Sequence, residues 1–465
     1  MLRPRRLPVM TLPRPTIAAI ATGSAPGAIG IIRISGAATA AVVDAVFRRR
    51  DWPGYAAVPQ HTLHLGRISG PDTIPLDFVL LLVMRAPQSF TGEDVAEFHC
   101  HGGPAALTAV LQAVQAAGAL PAPPGEFTRR AFLAGKLDLT QAEAVAALVG
   151  ARSRAALALA AAQHDGLWAR WLRDLRLLLD EFLAAVTYAL DIDEGEAPFA
   201  AHDWQPRLAA AAAALAAARQ RGERNLRSLT GVSIALTGPP NAGKSSLFNR
   251  LLNEERAIVT PLPGTTRDPV RGDMVLNGMT VTLIDTAGWC DKRDLRELAA
   301  ERRRQASVAA AAVTLVVLDG SVPPPADLAA RRQSLADAGC LWVLNKCDLP
   351  AAWPAAAAAA GGIAARVSAT TGAGIGELLN LIAAQVQADA LEPELPGAIT
   401  DRQQEAVARA AAALAALQAA LAATAGVECL LVEAKAVAAA LDELTGRTTS
   451  DDILHAVFSR FCVGK

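Results

Sequence analysis

The run Gly238-Pro-Pro-Asn-Ala-Gly-Lys-Ser245 sets two glycines, with four residues between them, just ahead of a lysine and a hydroxyl. Successive N–H groups of such a turn point inward at a polyphosphate, Lys244 reaches the outer phosphates, and the Ser245 hydroxyl can ligate magnesium. Further groups follow in chain order. Thr265 and Thr266, in Pro263-Gly-Thr-Thr-Arg-Asp268, stand where a mobile switch would bring a hydroxyl to magnesium and sense the terminal phosphate. Asp285 closes the run Val281-Thr-Leu-Ile-Asp285-Thr-Ala-Gly288 and suits a carboxylate that holds the metal through water, with Gly288 free to approach the phosphate. Asn345, Lys346 and Asp348 carry base choice. A carboxylate accepts two hydrogen bonds from the N–H groups of guanine's Watson–Crick edge, where adenine presents an acceptor. GTP is thereby favoured over ATP. Val367-Ser-Ala-Thr370, with Gly372 and Gly374 behind it, offers backbone N–H groups to the guanine oxygen.

These groups need strand ends to present them. Gly231 to Thr237 reads as a buried strand feeding the loop, and Ser246 to Leu252 as a helix whose N-terminus faces the phosphates. Val313 to Asp319 and Cys340 to Asn345 supply two more strands. Directly after Gly288 stands Trp289, where Ras-like GTPases place a water-orienting glutamine. Tryptophan cannot orient water in that way. Either the chain hydrolyses slowly and acts by binding, or another group serves. Asn241 is open to two readings, a side-chain oxygen for a monovalent cation or an Asx turn. Glu297 and Glu301, one helical turn apart, are candidates for water orientation or a solvated charged face.

Three regions separate by pattern. From about Thr16 to Phe132, strand-like pieces (28–35, 76–84, 95–100) alternate with a helical Ala106–Ala117, giving an α/β domain. Helical periodicity runs from Leu137 to Arg227, with Thr140-Gln-Ala-Glu143 as its start signal and Trp168 to Ala185 amphipathic. Helix returns from about Glu377 to the end. The divisions are 1–134, 135–225 with 383–465, and 226–382, so the nucleotide domain is inserted into a helical one and its motion would lever helices on both sides.

With 465 residues, 52% hydrophobic and 19% charged, the chain is globular rather than disordered. A formal net charge of −1 excludes a global basic footprint, so a nucleic-acid partner must meet a local patch, a dimer or a second protein. The cysteines form no C-x-x-C pair, which points to reduced thiols and a cytoplasmic protein. No uninterrupted apolar run reaches spanning length, and the Pro-broken basic start lacks a signal core, with Met10 a second candidate start. Of 44 basic residues only six are lysine, at 136, 244, 292, 346, 435 and 465. Arginine fills the places that merely want charge. A retained lysine then marks a site for a compact ammonium, which singles out Lys136 and Lys465 beside the two in nucleotide motifs. Drift accounts for Lys292 and Lys435.

Several segments outside the nucleotide motifs are equally specific: Gly30-Ile-Ile-Arg-Ile-Ser-Gly36, Ser89-Phe-Thr-Gly-Glu-Asp-Val-Ala-Glu97, Gly102-Gly-Pro104, Pro124-Gly-Glu-Phe-Thr-Arg-Arg-Ala-Phe-Leu-Ala-Gly-Lys136 and Phe461-Cys-Val-Gly-Lys465. With them the chain, from Thr16 to Lys465, resembles the bacterial tRNA-modification GTPase family MnmE, also called TrmE. The resemblance implies an α/β and all-α multidomain protein: an N-terminal α/β domain that binds tetrahydrofolate and dimerises, a helical domain, and an inserted Ras-like P-loop G domain. It implies a potassium-dependent GTPase, homodimeric, that joins an MnmG-type FAD-binding partner in a heterotetramer or larger. Together they use a methylene or formyl tetrahydrofolate to build an aminomethyl or carboxymethylaminomethyl group on the wobble uridine of certain tRNAs, away from any membrane.

Carried over by position, the resemblance implies folate contacts at Arg33, Glu97, Lys136 and Lys465. Magnesium would be held by Ser245 and Thr266, and potassium by Asn241, Thr260, Leu262 and Thr265. GTP contacts are then Asn241, Ala242, Gly243, Lys244, Ser245, Ser246, Thr260, Thr265, Thr266, Asp285, Thr286, Ala287, Gly288, Asn345, Lys346, Asp348, Ser368, Ala369 and Thr370. Catalysis falls to Lys244, Thr266 and Glu297, the last orienting water. Cys462 matches the family's C-terminal cysteine, with a nucleophilic and a packing role both open. Glu97-Phe-His-Cys-His101 reads as strand-end histidines near the folate rather than a metal site. The early turn Gly23-Ser-Ala-Pro-Gly27 and Cys290 depart from the family pattern. A ribosome-assembly or signalling switch that acts by binding is the alternative, and it would need none of the outlying segments.

Overall fold

Ile29-Gly-Ile-Ile-Arg-Ile-Ser35 alternates, and so it forms a strand with Ile32 and Ile34 buried on one face and Arg33 on the other. A computed structural model describes residues 14–23, 27–70, 73–191, 199–254, 270–277, 279–286, 311–334, 340–354, 362–386 and 393–465. Thr260, Leu262, Thr265, Thr266, Ala287, Gly288, Trp289, Cys290, Glu297 and Glu301 lie outside the described residues.

In chain order the first elements are β1 (Ile17–Ile20), β2 (Ile29–Ser35), α1 (Thr39–Val46), β3 (Phe47–Arg48), β4 (Thr62–Ser69), β5 (Pro75–Met84) and β6 (Val95–His101). Then come α2 (Pro104–Ala116), β7 (Leu120–Pro121), α3 (Glu126–Leu133), α4 (Leu139–Gly150), α5 (Arg154–His164), α6 (Leu167–Asp191) and α7 (Ala201–Thr230). The next run is β8 (Val232–Thr237), α8 (Lys244–Glu254), β9 (Val270–Leu276), β10 (Met279–Asp285), β11 (Val313–Asp319), α9 (Leu328–Ser334), β12 (Cys340–Asn345) and β13 (Ile363–Arg366). Last are α10 (Ile375–Gln385), α11 (Asp401–Ala422), α12 (Val427–Thr445) and α13 (Asp451–Phe458). Two compact units result, 1–146 with 439–465, and 147–438.

In the first unit a seven-stranded sheet runs β3-β4-β5-β6-β2-β1-β7, antiparallel except where β1 meets β7. Its strands outnumber the three segments whose alternation marked them in the sequence. Ile32, Ile34, Leu81 and Phe98 face α1 and α2 in one core with Val42, Val43 and Val110. Each such side chain contributes about 1.5–3 kcal/mol by burial, so sheet position is set by this face and the opposite one is left for polar work. There the β2–β6 register puts Arg33 directly across from Glu97.

The chain's last residues belong to this unit. Ser450 caps α13 by accepting from Ile453 N–H, and Leu454, Val457, Phe458 and Phe461 pack with Leu139 and Ala142. The start signal of α4 lies two residues earlier than the Thr140/Glu143 reading. Asp138 Oδ1 accepts from the Thr140 hydroxyl and the Gln141 N–H, while Gln141 Oε1 accepts from Asp138 N–H, and this reciprocal pair outcompetes a cap at Thr140.

The second unit holds a six-stranded sheet ordered β13-β12-β11-β8-β10-β9, parallel except for β9 against β10. Parallel strands buried on both faces read as apolar runs, as in Val313-Thr-Leu-Val-Val-Leu318, where every residue is buried. Among the helices, α11 packs along α7. It is apolar and long enough to cross a membrane by length and composition. Its buried residues Gln403, Val407, Ala410, Leu414, Leu417 and Leu421 form one seam, the pattern of a helix packed on another helix.

Candidate functional site

The parallel strands β8, β10, β11 and β12 end in Thr237, Asp285, Asp319 and Asn345, so their following loops gather at the carboxyl edge of the sheet, where open α/β sheets bind ligands. The first loop turns sharply. Gly238 has φ 145°, and a Cβ there would lie 2.1 Å from the Val317 carbonyl, so only glycine lets β8 and β11 run this close. Asn241 takes φ 61°, a left-handed geometry that asparagine tolerates. Lys244, the first residue of α8, is buried, and its ammonium donates to the carbonyls of Gly238 at 3.2 Å and Pro239 at 2.8 Å. The Ser245 hydroxyl donates to Asp285 Oδ2 at 2.6 Å. A hydroxyl and a carboxylate thus converge at the helix N-terminus, a hard-oxygen donor set suited to a divalent cation. Thr286 binds back to β8 through N–H and hydroxyl, both to the Leu236 carbonyl.

Asn345 is the joint of the site. Its Nδ2 donates to Ala242 O at 3.0 Å and its Oδ1 accepts from Ala369 N–H at 3.0 Å, linking the phosphate loop to the Ser368 loop. Ser368 is fully buried and accepts from Thr371 N–H. Lys346, at φ 63°, pairs with Asp319 Oδ2 at 2.6 Å. Burial by itself would raise the Asp319 carboxyl, but hydrogen bonds from Lys346 and Ser321, with the charge of Lys346, hold it below the usual carboxylate range. Asp348 is exposed on the turn after β12, Ser246 is exposed on α8, and Thr370 is exposed in its loop. Sequence reasoning assigned Asp319 no role. Its signal was positional, a third strand ending in a carboxylate or amide.

A second cluster forms on the polar face of the first sheet. Arg33 Nε donates to Glu97 Oε1 at 2.7 Å and Nη1 donates to the Gly464 carbonyl at 3.3 Å, while the guanidinium lies 5.6 Å from the centre of the Phe127 ring. His99 Nε2 is 3.5 Å from Glu97 Oε2. The tail is pinned twice more. Phe127 N–H donates to Lys465 O at 3.2 Å, and Gly464 takes φ 93°, with a Cβ position only 2.3 Å from Ile20 O. Residues from both chain ends therefore meet. Lys136 is exposed on the turn between α3 and α4, its Cε beside Gly92, and among the described residues it makes no bond to Arg33, Glu97 or Lys465. Cys462 is an exposed free thiol. His101 stands apart on Asp77 at 2.6 Å, and Cys100 is pushed up to about 12 by burial and by Asp77. The role of Phe127 went unread in the sequence, since an aromatic within a helical motif looks like core.

Residues 16–136 match the family described as GTP-binding protein TrmE N-terminus, and residues 139–462 match the MnmE helical domain. The tRNA modification GTPase MnmE of Symbiobacterium thermophilum is 41% identical over 97% of this chain and 99% of its own length. Its namesake in Chloroflexus aurantiacus is 41% identical over the same shares. Among solved structures, the G domain of the T. maritima FeoB iron transporter is 26% identical, covering 34% of this chain and 99% of that one at a TM-score of 0.27.

Proposed function

The chain belongs to the MnmE family of tRNA modification GTPases, and from that premise we propose that it is a potassium-dependent GTP hydrolase whose cycle drives wobble-uridine modification. With an MnmG-type FAD-binding partner it installs an aminomethyl or carboxymethylaminomethyl group at C5 of the wobble uridine of certain tRNAs. The carbon comes from a methylene or formyl tetrahydrofolate. The parts are a folate-binding and dimerisation domain at 1–134, a helical domain at 135–225 and 383–465, and a G domain at 226–382, in a cytoplasmic protein.

On this reading Lys244 neutralises the outer phosphates, and Asp348 accepts from the guanine edge. Ser245 and Thr266 hold magnesium, which when bound offsets charge that develops on the transferred phosphoryl group. The pairing of Ser245 with Asp285 fits that ion. Asn241, in its left-handed turn, holds potassium with Thr260, Leu262 and Thr265, and Glu297 orients the attacking water. Arg33, Glu97, Lys136 and Lys465 bind and orient the folate. Glu97 offers Oε2 beyond the oxygen that Arg33 occupies, and the pterin's amino and ring N–H groups are donors of matching chemistry.

One observation carries the choice over a binding switch. The C-terminal Gly464-Lys465 is docked against Arg33 and Phe127 on a polar sheet face. A switch has no use for such a second site. The homodimer is supported by the β4–β5 end of that face, which is apolar rather than polar, with Leu63, Leu65, Phe78 and Leu80 exposed side by side.

Hydrolysis measured in potassium and in sodium tests the cation: a rate at least about tenfold higher in potassium is expected, and equal slow rates would sink that mechanism. Mass analysis of wobble uridines in tRNA from a knockout tests the product. Unmodified C5 is expected, and intact modification would refute the assignment.

A further inference from the structure

Arg250 lies on α8, the helix that opens with Lys244 and Ser245. Its side chain crosses to the Ser368 loop. Nε donates to Ala369 O at 2.8 Å, and Nη2 donates to Thr370 O. One guanidinium thus grips two consecutive carbonyls. On its other side the Ala369 peptide N–H is held by Asn345 Oδ1 at 3.0 Å.

A trans peptide is planar, so the carbonyl of one residue fixes the direction of the next residue's N–H. Holding Ala369 O directs the Thr370 N–H away from Arg250, and holding Thr370 O directs the N–H of Thr371, which binds Ser368 Oγ at 3.1 Å. Among the described residues the rest of the loop bonds to itself, through Gly372 N–H to Ser368 O and Ser368 N–H to Ala373 O. Internal bonds shape the loop without aiming it.

We propose that Arg250 is a positioning residue for the base end of the nucleotide, aiming the Thr370 N–H at the guanine 6-oxygen. The inference rests on the reading that Ser368 to Thr370 meets the base. The planar fork suits the task, because Nε and Nη2 present parallel N–H groups that match two neighbouring carbonyls. Because Arg250 rides on α8, phosphate contacts and base contacts hang from one rigid helix. A shift of α8 at the phosphate end therefore reaches the base loop directly.

The test uses the full chain with Arg250→Met, which keeps the apolar stem, and Arg250→Lys, which restores a charge without the fork. The probes are fluorescent GDP and a 2-aminopurine riboside diphosphate, which lacks the 6-oxygen. Arg250→Met is expected to speed GDP release by roughly tenfold and to raise KM for GTP in proportion, with kcat unchanged. Arg250→Lys should recover part of this, and release of the analogue should not change. Unchanged GDP release overturns the proposal. So does equal acceleration for both probes, with or without a fall in melting temperature, since that is the mark of a residue needed only for folding. Asp348→Asn separates the two readings. If it trades guanine for xanthine preference while Arg250→Met is silent, only the positioning role fails; if it leaves guanine preference intact, the base assignment itself fails.

Discussion

The nucleotide cluster and the Arg33 cluster are built in opposite ways. In the first, each group sits at or just past the end of its own strand, and Thr237, Asp285, Asp319 and Asn345 all end parallel neighbours. In the second, Arg33 and Glu97 come from paired strands, Phe127 from a helix, and Gly464 from the far end of the chain. A strand-end site survives as long as its sheet does. A site closed by the tail depends on one docked segment, and can be lost while the sheet stays folded.

That difference makes the largest prediction local. Lys244→Ala removes the ammonium from the phosphate loop, and kcat for GTP should fall by about 10²–10³, while tetrahydrofolate binding measured by calorimetry stays unchanged. A matching loss of folate affinity would show that the two clusters are not separable. Gly464→Ala is the mirror experiment. The residue is at φ 93° and its new Cβ would press on Ile20 O at 2.3 Å, so the tail must move or strain by about 1–3 kcal/mol. Folate affinity should fall by roughly tenfold or more, about as far as on deleting Lys465, with GTP hydrolysis intact. Unchanged folate affinity in both variants would remove the tail from the site.

Arg33→Met should cost less in fold than in binding. Arg33 and Glu97 are largely buried, so removing the cation leaves a carboxylate without its partner, whereas Arg33→Met with Glu97→Gln removes both charges. The double variant should lose less stability than the two single changes added together, by about 1 kcal/mol in thermal unfolding. Strict additivity would mean that the pair is held by the tail and the Phe127 ring rather than by its own attraction.

The same contrast explains what was legible in the sequence. Short-range spacing revealed the phosphate loop, the Asp285 strand end and the Asn345 motif, because each is complete within a few residues and obeys strand-to-turn geometry. No spacing rule joins Arg33 to Gly464, whose proximity is a product of register and of α13 packing beside Leu139. Resemblance supplied Arg33, Glu97, Lys136 and Lys465, and lysine scarcity independently singled out Lys136 and Lys465, but neither could supply Phe127. Short β3 and β7 were equally hidden, since two residues carry no period. Asn345 was named for the base, and its bond to Ala242 became visible only once β8 and β12 lay in one sheet.

The smallest effect tests the nucleotide cluster where it is most exposed to acid. Asp319 is held below the usual carboxylate range, chiefly against burial, by Lys346 and Ser321. A carboxyl with a lowered folded pKa contributes stability that is fully present above its unfolded value and is lost as pH falls through the folded one. Asp319→Asn keeps an acceptor for Lys346 but not its charge partner, and at neutral pH the melting temperature should drop slightly, by an amount worth at most about 1 kcal/mol. As pH falls through the lowered folded value the two proteins should converge, because protonation does to the parent what the substitution does to the variant. A gap that persists at low pH would mean that Asp319 acts through the shape of the Ser321 turn rather than through its charge.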